Sequence, residues 1–142
     1  MRFVPAGSVH VQWITDRLDL LRVEGAKGIA CESDSGEIYA VCMMDTWTEG
    51  SVQVHIAIDN PLCLKHYALL REVFHYIFIT ADRLTAVGLV NSDNIKALNF
   101  DKKIGFRELT RIKDGHSKGI DTVILELRRE DCKWINLKEE AA

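Results

Sequence analysis

Three strand-like runs, then an amphipathic helix, then one more apolar run: this order leaves the chain few ways to fold. The runs are GIACES (28–33), IYAVCMMDTW (38–47) and SVQVHIAID (51–59). Turns at DSGE and around Glu49 and Gly50 separate them, so they read as an antiparallel meander. Residues 38–44 are apolar on both faces, which predicts a central strand covered from above and below. LKHYALLREVFHYIFITA (64–81) is long enough for a helix, with Leu70, Val73, Phe74 and Ile77 on one face. LTAVGLV (84–90) then has the continuous apolar character of an interior strand. A helix joining two strands of one sheet is a crossover, so the strand ending before Asp59 and LTAVGLV are predicted to be parallel neighbours. Where two such strands part, their backbone groups are free to meet a ligand.

The rest of the chain completes the pattern. After a short apolar opening, SVHVQWITDRLDLL places Val9, Trp13, Ile14, Leu18 and Leu21 at helical spacing, with Ser8 as N-cap. In VNSDNIKALNFDKKIGF (90–106), Ser92 or Asp93 caps a helix whose apolar side is Ile95, Ala97, Leu98, Phe100 and Ile104. Lys102 and Lys103 suit its negative end, and Gly105 stops it. FRELTRI and IDTVILELR form a closing hairpin of alternating polarity. With 142 residues and 47% hydrophobic content, residues 1–142 read as a single domain around one core.

Composition removes several functions. A net charge of −3 without long basic blocks argues against nucleic acid as a partner. No stretch is long enough to cross a bilayer and no signal sequence opens the chain, so a cytoplasmic protein is expected. Cys31, Cys42, Cys63 and Cys132 are too scattered for a zinc site or a disulfide framework, and His66 and His75 do not share a helix face, so no metal is expected.

Asn94, Ala97, Phe100, Gly105 and Phe106 keep the spacing N-x-x-A-x-x-(apolar)-x-x-x-x-G-F, which resembles the C-terminal motif of the GNAT superfamily of acetyl-coenzyme A dependent N-acyltransferases. Element order extends the resemblance over nearly the whole chain, and it is greatest to small GNAT proteins of phages and prophages, whose location would be the host cytoplasm. The resemblance implies an α/β (α+β) fold: a mixed, mostly antiparallel central sheet, helices on both faces, and a splayed parallel strand pair. It implies acetyl-CoA as cofactor, a small-molecule or protein amine as acceptor, and a homodimer, since members are frequently dimers. Its pyrophosphate loop would lie in DNPLCLKHY (59–67), where the usual (Q or R)-x-x-G-x-(G or A) is replaced by a segment without glycine. The N–H groups of Leu64 and Lys65, with charge from Lys65 and His66, would hold the anion there. Asn91 and Asn94 would reach the coenzyme; both also suit the simpler roles of turn closure and helix capping.

Acyl transfer needs a base that accepts a proton near neutral pH. On SVQVHIAID, Gln53, His55, Ala57 and Asp59 share one face, and His55 is the candidate base, with Asp45 and Glu49 as weaker alternatives. Backbone groups of Ile56, Ala57 and Ile58 would bind the thioester and its arm. Trp47 and Glu49 would line the acceptor side. The family's frequent tyrosine, seven positions after the motif asparagine, is here Asp101, which reads as a solvated helix residue beside two lysines; Tyr67 is a substitute donor. Cys63 reads as a small buried residue rather than a nucleophile. The missing loop glycines and the missing tyrosine support a competing reading, a GNAT-fold interaction protein with weak or no transfer activity. A further alternative is modification of a nucleobase amine in phage DNA.

Overall fold

The computed structural model describes residues 1–18 and 25–136. In chain order the elements are β1 (Arg2–Pro5), α1 (Ser8–Leu18), β2 (Lys27–Glu32), β3 (Ile38–Asp45) and β4 (Ser51–Ile58). A 3-10 segment (Pro61–Tyr67) then leads into α2 (Ala68–His75) and a π-helical turn (Tyr76–Thr80). They are followed by β5 (Thr85–Asn91), α3 (Ile95–Ile104), β6 (Arg107–Ser117) and β7 (Ile120–Arg128). The seven strands form one sheet in the order β1-β2-β3-β4-β5-β7-β6, antiparallel except for β4 beside β5. The crossover inferred from the sequence is therefore present.

Strand alternation sorts the core into two layers. On one face Cys42, Met44, Val52, Val54, Ala86, Leu125 and Leu127 pack under α2 and α3, with Phe74 and Phe78 fully buried between. On the other, Val41, Met43 and Ala57 lie beneath Ile14 of α1. The last six residues of β3 are buried, as its two-sided apolar pattern requires. Removing a ring such as Phe74 from this layer would cost about 3–5 kcal/mol. The chain leaves β7 through a short 3-10 turn, and the Trp134 indole then donates to the Ile104 carbonyl (2.8 Å) while its ring packs 5.0 Å from Tyr67.

Several local expectations need correction. Gly7, not Ser8, precedes the first helical turn, and its carbonyl accepts from the His10 and Val11 N–H groups. Val9 is exposed; the buried position is His10, whose Nδ1 accepts from the Gly7 N–H while Nε2 meets Glu32 (3.1 Å). Leu21 lies outside the described residues. The helix expected from Leu64 begins at Ala68, because Lys65 is extended and His66 and Tyr67 both take left-handed backbone (φ 55° and 58°). The hairpin's inner strand alternates, but β6, at the sheet's edge, is exposed along its whole length. In α3, Ile95 is exposed, and Leu98 and Ile104 carry the burial.

The cap of α3 is also reassigned. The Asn94 side chain accepts from the Ala97 N–H (3.2 Å), whereas Ser92 Oγ accepts from the Asp121 N–H (2.8 Å) and ties the loop to β7. Gly105 ends the helix at φ 118°, a conformation that glycine adopts freely.

Two stability measurements follow. Asn94→Ala should destabilise the chain by about 1 kcal/mol in urea unfolding, and Asn94→Asp should not. Left-handed backbone costs a side-chain-bearing residue roughly 1–2 kcal/mol, part of which glycine's greater unfolded-state freedom offsets. His66→Gly is therefore expected to stabilise by about 0.5–1 kcal/mol in the same assay.

Candidate active site

β4 and β5 pair at only three positions, Ser51 with Thr85, Val52 with Ala86 and Gln53 with Val87. Beyond them β4 stays in register with β3 as far as Ile58, and β5 stays with β7 as far as Asn91. A cleft of about 240 Å³ opens where they part. Its walls include Val54, His55 and Ile56 of β4, Gly88 to Asn91 of β5, Asn94, Ala97 and Asp101 of α3, and Arg17 at the end of α1.

The backbone of β4 supplies donors and acceptors to this gap. The Asp59 N–H donates to the Tyr39 carbonyl, and the register between β3 and β4 runs unbroken from there. By antiparallel alternation, Ala57 and His55 pair with β3, whereas the N–H and C=O groups of Val54, Ile56 and Ile58 point toward β5. Beyond the paired stretch these groups face the side where the cleft opens. Of the three residues expected to offer backbone groups, Ile56 lies on the cleft wall, and Ile58 points to the same side of β4 beyond it. Ala57 does neither: its backbone faces β3 and its side chain packs in the layer under α1.

His55 does not stand alone. Its Nε2 lies 3.1 Å from Asp45 Oδ2, and the Thr46 hydroxyl donates to Asp45 Oδ1 (3.0 Å). With Asp45 ionised, Nε2 carries the ring proton and donates it, which leaves Nδ1 as the acceptor. Both side chains are largely buried. The hydrogen bond holds the two side chains together as one buried pair. At the end of α1, Arg17 makes a two-pronged ion pair with Asp59 (3.1 and 2.7 Å) and lies 3.6 Å over the Trp13 ring. That pair holds the end of α1 at the far end of β4, beside the cleft. Arg17 carried no local sequence signal, because its partner is 42 residues away.

Asp101 was misplaced by sequence reasoning. It is not a solvated helix residue: its carboxylate lines the cleft, with Oδ2 3.6 Å from where a Cβ on Gly88 would sit. Burial pushes its pKa up to about 6. The neighbouring lysines do not hold it down, since Lys102 turns to Glu108 (3.8 Å). The signal available in the sequence was the helical spacing of 94, 97 and 101, which puts Asp101 on the face of Asn94 and Ala97.

Other expected residues lie elsewhere. Asn91 and Asn94 both line the cleft; the Asn91 carbonyl also accepts from the Asn94 N–H, and Asn94 caps α3. Leu64, Lys65 and His66 are not on its wall; Lys65 and His66 are exposed, and Leu64 packs on the core. Because α2 begins at Ala68, and the Ala68 N–H is already given to the Cys63 and Lys65 carbonyls, the first-turn donors follow Ala68. Trp47 and Glu49 are also outside the cleft. The Trp47 indole donates to the Gly25 carbonyl (3.1 Å), its ring packs edge-on against Tyr76, and Arg83 lies over it, so it acts in packing. Tyr67 turns toward Trp134. Cys63 is buried, with its thiol pushed up to about 12, which removes it as a nucleophile.

No protein-family model and no curated protein matches the sequence. Solved structures do match the fold. The spermidine/spermine N-acetyltransferase SpeG from Vibrio cholerae superposes with a TM-score of 0.70 at 12% identity, over 89% of this chain and 91% of that one. The N-acetyltransferase PseH from Campylobacter jejuni, solved with acetyl coenzyme A, gives 0.59 at 17% identity over 85% and 78%. A GNAT-family protein from Desulfovibrio desulfuricans gives 0.63 at 20% identity over 73% and 69%. At such identities the likeness is one of architecture: this chain has the GNAT fold.

Proposed function

We propose that the protein is an N-acetyltransferase that moves an acetyl group from acetyl-CoA to an amine, small-molecule or protein-borne. The observation that carries this reading is His55, hydrogen-bonded to Asp45, on the wall of the strand gap that the Ile56 backbone faces. Solved neighbours with this architecture are acetyltransferases, one of them holding acetyl coenzyme A. When bound, the coenzyme supplies an activated acyl group as a thioester.

The chain's residues suit that partner. The Ile56 and Ile58 N–H and C=O groups can pair with the amides of an extended arm as a strand would, and Gly88 leaves β5 without a side chain where the strands part. The rising ends of β4 and β5 lead to the starts of α2 and α3, where unpaired N–H groups favour the anionic end of the coenzyme. Its reactive end then lies toward the closed end of the gap, at the level of His55 and Asp101. His55 Nδ1 takes the proton of the attacking amine, directly or through a water, while Asp45 fixes the ring and balances the charge it gains. Asn91 and Asn94 contribute polar groups along the α3 wall. The glycine-free loop and the exposed Lys65 and His66 favour the competing reading, a GNAT-fold interaction protein without transfer.

Titration calorimetry with coenzyme A and acetyl-CoA, with a thermal shift alongside, separates these readings. Micromolar binding with a raised Tm is expected; no heat and no stabilisation at millimolar ligand would select the interaction protein. Against an acceptor found by amine screening, His55→Ala should lower kcat/KM by about 10²- to 10⁴-fold with coenzyme affinity retained. Unchanged kinetics would remove His55 as the base.

A further inference from the structure

Among the described residues the cleft holds three ionisable side chains, and two of them are already engaged: Arg17 with Asp59 and His55 with Asp45. The third, Asp101, has no hydrogen-bond or ion-pair partner among the described residues. Around it on the cleft wall stand Gly88 of β5, where an added Cβ would meet both Asp101 and Phe106, Val54 to Ile56 of β4, and Asn94 and Ala97 of its own helix. Of the basic groups nearby, Lys102 faces Glu108, and Lys103 is exposed beyond it. A carboxylate that could have turned to water instead faces the place where β4 and β5 separate, and no cation or hydrogen-bond donor among the described residues engages it.

We propose that Asp101 takes up a proton when coenzyme A fills the cleft, and delivers that proton to the departing sulfur during transfer. The proposal rests on the acetyltransferase reading above. An uncharged arm lying along β4 displaces the remaining water from Asp101 and further disfavours its ionised form. Burial has already brought the group to about 6 in the free chain, so only a small further push loads it near neutral pH. At transfer, the amine nitrogen bonds to the thioester carbon as the carbon–sulfur bond breaks. The amine proton goes to His55 and the Asp101 O–H proton to the sulfur. Free coenzyme A leaves as a thiol, Asp101 is left ionised, and His55 returns its proton to solvent. A carboxylic acid thus does what a carboxylate could not.

The test is calorimetry of coenzyme A binding at pH 7 in buffers of differing ionisation enthalpy, which counts protons exchanged. The ligand's own phosphates contribute equally to parent and variant. The difference between parent and Asp101→Asn should therefore be up to about one proton taken up by the parent, and the variant, spared that protonation, should bind up to about 10-fold more tightly. Kinetically, Asp101→Asn should lower kcat by about 10-fold or more with little change in the amine's KM, and Asp101→Glu should recover part of it. The parent's kcat should fall as pH rises through the loaded group's titration, and the variant's should not. The fold gives a reading independent of transfer. Because the folded chain holds this proton more tightly than the unfolded one, the stability it contributes is full below about pH 4 and lost as pH rises through about 6. Asp101→Asn should therefore gain stability on the parent across that window. Coenzyme binding with equal proton uptake in both proteins overturns this proposal alone. Absence of binding in both overturns the acetyltransferase reading and this proposal with it.

Discussion

Three paired positions hold β4 beside β5, and every feature of the site depends on that pairing being short. Each strand has a stronger allegiance on its other side: β4 is in register with β3 from Gln53 to Ile58, and β5 with β7 along all of its length. The right-handed twist of a sheet turns neighbouring strands away from one another, and a parallel pair joined only at one end has little to resist it. Arg17 and Asp59 brace the β4 side of the gap, whereas α3 closes the β5 side. The cleft is thus held open from outside rather than propped by side chains within.

That geometry was legible because it follows from element order. A meander, a crossover helix and an apolar run can share one sheet only if the last two strands are parallel, and the periodicities of 38–44 and 84–90 located both interior strands. Local chemistry was less reliable. The α2 start moved from Leu64 to Ala68 because His66 and Tyr67 adopt left-handed backbone, which no propensity argument assigns to two consecutive residues with side chains. The cap of α3 fell to Asn94 because Ser92 had a competing partner in the β7 backbone, a contact spanning 29 residues. The family resemblance implies an acceptor-side place for Trp47, whereas its indole donates to Gly25 and its ring meets Tyr76.

The catalytic candidates divide along the same line. Placing His55 on the strand face opposite Val54 and Ile56 required only the period of two. Its pairing with Asp45 required the antiparallel register, which sets Met43 opposite His55 and Asp45 opposite Gln53, so that the two side chains meet diagonally on one face. Asp101 failed for a different reason. Two lysines follow it in the chain, and adjacency suggested that they set its charge; on a helix, however, adjacent residues diverge by about 100°, and i+3 and i+4 are the neighbours. The relevant company was Ala97 and Asn94, on the cleft side.

The same accounting describes what the cleft can accept. Arg17 and His55 carry their own counter-charges, and burial drives Asp101 toward neutrality, so the described walls offer little net charge to whatever enters. A charged group driven to the closed end of the gap would lose its water and find no free opposite charge, which is costly. An arm of amides and methylenes would lose little there and would gain the open backbone groups of β4. Anionic groups are better placed at the rim, near the helix starts, where unpaired N–H groups and water remain. On the acetyltransferase reading proposed above, this polarity would orient the coenzyme with its phosphates outward and its thioester inward, between His55 and Asp101.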